Sequence, residues 1–313
     1  MFELLMSGKR KFIEGLWRYA LFAGGSTGST TLSITDRYHY VNDAVTAGYG
    51  LPLTLALHAG TGNSSVGVFA GGAANGANYS TQTTIYNYAA NTAASGSQTL
   101  TSGRHEHIAF GNETHGIFAL GYYSAASLTN AQKYTYANFT YGPNTSLSGA
   151  ASGAGAASNL ELGIVAGGST NGNFTGTYNT SSTKKYTHAT GVWAAGIALS
   201  ASRSMLAGAG NATMACFAGG GSTASIRNTV EILDYASLSF YGGNSLGLAR
   251  LNLAGAGNNE VGIFAGGRIT VTLVIANVEK YTYATHAITS GTSLKSIRRH
   301  FAAASSSPGW VVP

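Results

Sequence analysis

A short segment of apolar residues followed by alanine and two glycines recurs along the whole chain and constrains its fold more than any other feature. It occurs six times, at residues 20–25, 67–72, 116–121, 163–168, 215–220 and 262–267. The intervals between equivalent alanines are 47, 49, 47, 52 and 47 residues. A period of this length is typical of stacked or radial supersecondary units. The apolar run fits a strand buried on both faces, and the glycines permit the sharp turn that follows.

Each repeat contains signals for further short strands. After a polar loop, two large side chains stand two residues apart, which places both on one face of a sheet, where neighbouring sheets pack. These pairs are Tyr38 and Tyr40, Tyr86 and Tyr88, Tyr134 and Tyr136, Tyr186 and His188, Leu233 and Tyr235, and Tyr281 and Tyr283. A third, weaker strand is predicted from leucine-containing segments at residues 51–55, 98–102, 146–150, 197–201, 246–250 and 293–297.

The fourth element of the repeat often begins with arginine and continues with very small residues. The arginines are Arg104, Arg203, Arg250 and Arg299. Small side chains suit strands that converge on a crowded axis, so four antiparallel strands per repeat predict the blades of a β-propeller. A solenoid is the alternative use of such a period, but four strand signals in about 47 residues favour blades. Six repeats predict six blades, and residues 300–306 would close the first blade as its inner strand.

The order of these elements resembles the kelch repeat of kelch-type propellers, over about residues 19–313. The resemblance implies that the small-residue strand is innermost and the Gly-Gly strand is second. The sequence departs from the kelch pattern in two ways: most repeats lack a tryptophan after the third strand, and the third repeat ends in Leu120-Gly121. The predicted fold class is all-β, a six-bladed kelch-like β-propeller over residues 19–313 with a short N-terminal arm over residues 1–18.

The arm combines large apolar side chains with a basic cluster, and a closed propeller needs neither. Burial of such side chains against a partner would stabilise a complex, so we expect the arm to attach the propeller to another protein. The predicted partner-binding residues are Phe2, Leu5, Lys9, Arg10, Lys11, Phe12 and Trp17. The alternative is that the arm packs on its own propeller as an edge strand. Residues 309–313 are the second candidate for attachment.

The composition argues against several functional classes. Only 9% of the residues are charged, against about a quarter in ordinary globular proteins. The net charge is +6, and apart from the basic cluster of the arm the cations are scattered, so no direct nucleic-acid binding is expected. Cys216 fits a buried strand position, and no apolar stretch of about 18 residues predicts a membrane span.

Candidate catalytic and metal-binding residues are few. His105, His107 and His115 are candidate metal ligands, but the preferred interpretation is that the first two occupy the polar position that follows the arginine. No metal or cofactor is predicted. The three aspartates and eight glutamates fall at unmatched positions of the repeats, whereas glycoside hydrolysis needs a carboxylate pair at a defined separation. We therefore expect no enzymatic activity, with blade packing as the preferred role of the tyrosines and arginines.

The low-charge repeats, rich in Gly, Ala, Thr and Asn, resemble proteins of phage tails, particularly those of marine phages. The resemblance implies a non-enzymatic structural or adhesion component of a virion tail, assembled in the cytoplasm of a host bacterium. Such a protein would be present in several copies in a symmetric assembly and would contact other tail proteins and host-surface glycan. Two alternatives remain open: a carbohydrate-active propeller enzyme and an intracellular kelch-like interaction adaptor.

Overall fold

A computed structural model describes residues 18–74 and 78–306 of the chain. The predicted arm residues, from Phe2 to Trp17, and the segment 309–313 lie outside the described residues. Within them, the strands form six four-stranded antiparallel sheets, which are the blades of a propeller. The described part contains no α-helix, so it contains no helix that could cross a membrane. The predicted all-β, six-bladed fold is confirmed.

Four strands run from the axis to the rim of each blade, and blades are numbered here from the N-terminus. In order of blade, the inner strands are Ala302–Ser305, Ala59–Gly62, Ile108–Gly111, Gly155–Ser158, Ala207–Gly210 and Ala254–Gly257. The second strands are Tyr19–Ala23, Val66–Ala70, His115–Ala119, Leu162–Ala166, Met214–Ala218 and Val261–Ala265. The third strands are Thr35–His39, Thr83–Asn87, Asn130–Thr135, Thr183–Thr187, Val230–Asp234 and Val278–Thr282. The outer strands are Val45–Ala47, Thr92–Ser95, Thr140–Ser146, Val192–Ala195, Ser239–Gly243 and Ala287–Gly291.

Two small hairpins extend the connection between the second and third strands. One pairs Ala73–Ala74 with Asn78–Tyr79 in blade 2, and the other pairs Tyr122–Tyr123 with Ala126–Ser127 in blade 3. In the described residues, the other four blades close the same connection with a single antiparallel bridge, at Ser26–Thr31, Ser169–Asn179, Gly221–Ile226 and Arg268–Val274. The longer hairpins therefore distinguish blades 2 and 3 from the rest.

The prediction that the leucine segments form strands was wrong. The outer strands precede them, and the leucines lie in the loops that follow, apart from an overlap at Ser146. The first leucine of each segment is nevertheless buried between blades, and its backbone N–H donates to a carbonyl just before the third strand of its own blade, as Leu100 does to Thr81 at 2.9 Å. Burial alone therefore produced the leucine signal, whereas the outer strands are half-exposed and have no apolar pattern.

The hydrophobic core is divided into six clusters, one at each boundary between neighbouring blades. The third-strand tyrosines insert into these boundaries. Tyr281 of blade 6, for example, is fully buried in one cluster with Cys216 and Ile232 of blade 5. The predictions that the tyrosines pack between blades and that Cys216 is buried are therefore confirmed.

The two glycines of the repeat have different roles. The second glycine has a φ angle between 80° and 104° in all six blades, which only glycine adopts readily. The first position has a φ angle near 60°, where other residues are tolerated at a cost of about 1–2 kcal/mol. Leu120 occupies this position in blade 3 with a φ angle of 63°. The departure of blade 3 from the Gly-Gly pattern is thus compatible with the same turn.

Blade 1 is closed by the two ends of the described chain. Its inner strand, from the C-terminal region, pairs with Tyr19–Ala23. The N–H of Tyr19 donates to Ser306 Oγ at 2.9 Å, and the N–H of Ser306 donates to the Tyr19 carbonyl at 3.0 Å. The prediction that residues 300–306 supply this strand is confirmed. The pairing leaves no open strand edge at this boundary.

Four buried arginines connect consecutive blades. They are Arg104, Arg203, Arg250 and Arg298, all at most 1% exposed. The main chain of Arg250, for example, bonds to Gly220 of blade 5, while its Nη1 donates to the carbonyls of Gly266 and Asn277 in blade 6. The predicted blade-to-blade role is confirmed.

One arginine of this set was assigned wrongly from the sequence. The structural equivalent is Arg298 and not Arg299, because the residue four positions before the inner strand is the one that points into the blade. Its neighbour Arg299 pairs through its backbone with Ser26 and is only partly buried. In three blades the arginine also pairs with an acid of the third strand: Arg203 with Glu231, Arg250 with Glu279, and Arg298 with Asp36.

Candidate binding site at the mouth of the channel

The propeller has two different faces. The face at which the inner strands begin, called here the mouth face, also carries the loops between second and third strands. The opposite face, called here the turn face, carries the tight turns between inner and second strands. On the turn face, asparagine side chains link successive blades, as Asn112 Nδ2 does by donating to the Leu160 carbonyl at 3.3 Å. The repeated turns of that face therefore satisfy one another, whereas the mouth face differs from blade to blade.

Six residues form a closed ring around the axis at the mouth face. The ring residues, one before each inner strand, are Leu57, Glu106, Gly153, Met205, Asn252 and His300. The N–H of each donates to the carbonyl of the ring residue in the preceding blade, with N–O distances of 2.5 to 3.1 Å. All six have φ angles between 52° and 62°. The ring thus holds five non-glycine residues in a left-handed conformation that each would otherwise avoid.

A recess of about 120 Å³ lies within the ring. His58 and His107 form part of its wall and are 5% and 6% exposed. Burial lowers the pKa of His58 to about 4 and that of His107 well below its usual value. Both imidazoles are therefore neutral at neutral pH, and the recess itself contributes no positive charge.

Five ionisable side chains surround the mouth and are called here the mouth cluster: His105, Glu106, Arg268, Arg299 and His300. His105 Nδ1 lies 3.8 Å from Glu106 Oε2. Arg268 donates through Nη1 to the Val271 carbonyl at 3.2 Å, and its Nη2 lies 3.8 Å from Met205 Sδ. Met205 is a ring residue, so this guanidinium lies at the edge of the ring.

Burial and mutual charge repulsion set the protonation of the mouth cluster. Burial raises the pKa of Glu106 to about 8, although Arg268 opposes this rise. Burial, together with the positive charges of Arg299 and Arg268, lowers the pKa of His300 to about 3. Burial also lowers the pKa of Arg268, with repulsion from Arg299 as the next cause. At neutral pH the cluster therefore contains two guanidinium charges, a largely protonated carboxyl and neutral imidazoles.

An aromatic patch adjoins the mouth cluster between blades 2 and 3. Tyr79 stacks on His105 with ring centroids 5.0 Å apart and an interplanar angle of 14°. Tyr123 meets Tyr79 edge-on at 5.0 Å, and Tyr122 lies 5.5 Å from His105. Tyr123 is 43% exposed. The two hairpins of these blades thus present aromatic rings to solvent beside Glu106.

The structure does not assemble the three histidines that the sequence suggested as metal ligands. His107 lies at the mouth, whereas His115 lies at the turn face, where its Nε2 is 3.0 Å from His188 Nδ1 of blade 4. No group of three or more histidine, cysteine or acidic residues suited to a metal ion occurs in residues 18–74 and 78–306.

The sequence singled out His105 and Arg299 for other roles, but nothing in it brings them together with Glu106, Arg268 and His300. Glu106 and His300 hold equivalent positions in their repeats, because each follows a buried arginine, Arg104 or Arg298, by two residues. A residue-by-residue alignment of the repeats could have shown that equivalence. Arg268 follows the last Gly-Gly pair, and nothing in the neighbouring sequence indicates that its side chain contacts the ring residue Met205.

No protein-family model matches the chain, and no curated protein matches it in sequence. Among solved structures, that of YjhT superimposes with a TM-score of 0.69 at 11% identity, over 87% of this chain and 97% of YjhT. The chain shares the propeller fold of YjhT. At this level of identity the similarity concerns the fold alone.

Proposed function

We propose that this protein is a non-enzymatic structural and adhesion component of a virion tail, built from kelch-like blades, which binds host-surface glycan through its mouth face. The observation that carries the glycan-binding part is the pairing of an exposed aromatic patch with a polar cluster on a single face. Aromatic rings offer flat apolar surfaces to sugar rings, and neighbouring polar groups orient the hydroxyls.

The distribution of acids supports binding over hydrolysis. Three acids are used in the blade ion pairs, and Asp43 pairs with Lys280 at the rim of the turn face. Among the residues that the structure describes, Glu106 is the single acid at the mouth. A mouth with one carboxyl lacks the second carboxylate that glycoside hydrolysis ordinarily uses.

The virion assignment is supported by composition and by the position of the chain ends. Only 9% of the residues are charged, a composition that resembles phage-tail proteins. Arg18 and Ser306 both lie at the turn face, because the strand Tyr19–Ala23 begins at that face and the strand Ala302–Ser305 ends there. Attachment to other tail proteins through the arm would therefore leave the mouth face free. The arm residues proposed for this contact are Phe2, Leu5, Lys9, Arg10, Lys11, Phe12 and Trp17.

A carbohydrate-active enzyme is the second candidate, and one observation favours it. A carboxyl with a pKa of about 8 beside an imidazole could act as a general acid or base near neutral pH. In that case the purified protein would convert a saccharide, and Glu106→Gln would abolish the conversion while leaving saccharide binding intact.

Two measurements test the proposed function. A mass-spectrometric inventory of purified particles should contain this chain at several copies per particle, and its absence would refute the virion assignment. Particles carrying Tyr123→Ala should adsorb to host cells more weakly than the parent. Phe139→Ala is the matched control, because Phe139 is 39% exposed but lies on the turn face. Equal loss from both variants would contradict recognition by the mouth face.

A further inference from the structure

The guanidinium groups of the mouth cluster indicate the chemical class of the glycan, on the basis of the proposed function. We propose that the glycan is acidic and that Arg268 and Arg299 hold a sugar carboxylate at the mouth of the channel.

Arg268 has donors that the protein does not use well. It is 7% exposed, yet its hydrogen bonds reach one carbonyl and, at 3.8 Å, the thioether of Met205, and its Nε has no partner. A thioether is a weak acceptor. A carboxylate would take these donors in a bidentate arrangement, which is the geometry that guanidinium groups favour.

Arg299 has no side-chain acceptor among the residues that the structure describes. It donates no side-chain hydrogen bond to another described residue, and its Nε is buried. Burial is the main reason that the pKa of Arg268 is lowered, and the charge of Arg299 lowers this pKa as well. Two like charges held close together at a concave site are stabilised by an anion placed between or beside them.

Three of the four buried arginines that connect the blades have their charge compensated by a carboxylate, whereas Arg104 does not. Arg203, Arg250 and Arg298 each have a carboxylate from the same blade. The acid whose charge raises the pKa of Arg268 is Glu106, on the blade directly opposite. Burial keeps much of this carboxyl group protonated. The mouth therefore lacks the carboxylate that these blades supply internally, and the ligand would provide it.

The arrangement across the mouth fits an oligosaccharide better than a small anion. The two arginines belong to the boundary between blades 6 and 1, and the aromatic patch belongs to blades 2 and 3. A chain of sugars that spans the mouth could place one ring against Tyr123 and the carboxylate of another beside Arg268. Glu106, lying between them, could donate a hydrogen bond to a sugar oxygen.

A glycan microarray with uronate-bearing and matched neutral saccharides tests the proposal. The full chain should bind uronate oligosaccharides, and Arg268→Gln should weaken that binding at least about tenfold, the effect of losing a charged hydrogen bond. Arg299→Gln should weaken it in the same direction. Lys185→Gln is the charge-matched control, because Lys185 lies on the third strand of blade 4, away from the mouth. Melting temperatures of all variants establish that each is folded.

The outcomes separate the two proposals. Binding of neutral saccharides that depends on Tyr123 but not on Arg268 would overturn the acidic class and keep glycan binding by the mouth face. Absence of binding to any saccharide would overturn both. Inorganic phosphate is included as a competitor: displacement of the uronate ligand by low-millimolar phosphate, together with equal binding of phosphorylated neutral sugars, would assign the site to phosphate instead. Weaker binding of uronates at high salt is expected for a charged contact.

Discussion

A single substitution in blade 3 should stabilise the whole protein. Arg104 is fully buried like the other blade arginines, but the third-strand position that supplies an acid in blades 1, 5 and 6 is occupied here by Gln132. Gln132 Oε1 accepts from the N–H of Thr101 at 2.9 Å, as Glu231 Oε2 accepts from Ser200 at 2.7 Å in blade 5. Gln132→Glu would therefore retain this bond and offer its second oxygen to Arg104.

The expected gain follows from the cost of an uncompensated buried charge. Removing one partner of a buried ion pair costs about 3–5 kcal/mol, and Gln132 leaves Arg104 close to that condition. Burial lowers the pKa of Arg104 to about 10, which agrees with poor compensation. The bond from Arg104 Nη2 to Ser102 Oγ, at 3.2 Å, recovers part of the cost. We therefore expect a net gain of about 1–3 kcal/mol, which for a chain of this size raises the Tm by roughly 2–6 °C.

Chemical denaturation and thermal melting of the parent and Gln132→Glu provide the assay. Glu231→Gln is the mirror variant, and it should lose stability by a similar or larger amount because Arg203 then loses its carboxylate. A Gln132→Glu protein that is less stable than the parent would refute the reasoning, since it would show that desolvation of the new carboxylate outweighs its attraction to Arg104.

Three further predictions concern the core, the mouth and the arm. Tyr134→Ala should cost about 3–5 kcal/mol in unfolding free energy, because the ring is fully buried. Tyr123→Ala should leave the unfolding free energy within about 0.5 kcal/mol of the parent's value. Between pH 6.5 and 8 the unfolding free energy should fall as pH rises, by up to about 1.4 kcal/mol per pH unit. The reason is that Glu106 keeps its proton up to about pH 8 in the folded protein but has already lost it in the unfolded chain. Glu106→Gln should remove this slope. Below pH 6.5 stability should fall as pH decreases, because histidines such as His58, with a folded pKa of about 4, take up protons in the unfolded chain first. Deletion of residues 1–18 should leave a folded propeller that is absent from particles, and normal incorporation would move attachment to another segment, with residues 309–313 as the next candidate.

The fold was predictable from the sequence because the repeat encodes it redundantly. The glycine turn, the buried second strand and the third-strand tyrosines each carry a strong local signal, and six copies fix the blade count. The outer strands were not predictable in position. They face solvent on the rim, so they have no apolar alternation, while the leucines that follow them are buried in loops and imitate a strand.

The candidate site was far less predictable. Its residues come from blades that are distant in sequence, and Glu106 and Arg268 influence each other from opposite sides of the ring. The assignment of Arg299 in place of Arg298 shows the same limit, since a shift of one residue exchanges a buried blade contact for a side chain at the mouth. Only the three-dimensional arrangement distinguishes the two.

A structure of the protein with a bound uronate oligosaccharide tests the central claim most directly. Recognition by the mouth face predicts ligand density over the ring, with a sugar ring against Tyr123 and a carboxylate within hydrogen-bond distance of Arg268 or Arg299. Density on the turn face, or along the outer strands with the mouth empty, would contradict it.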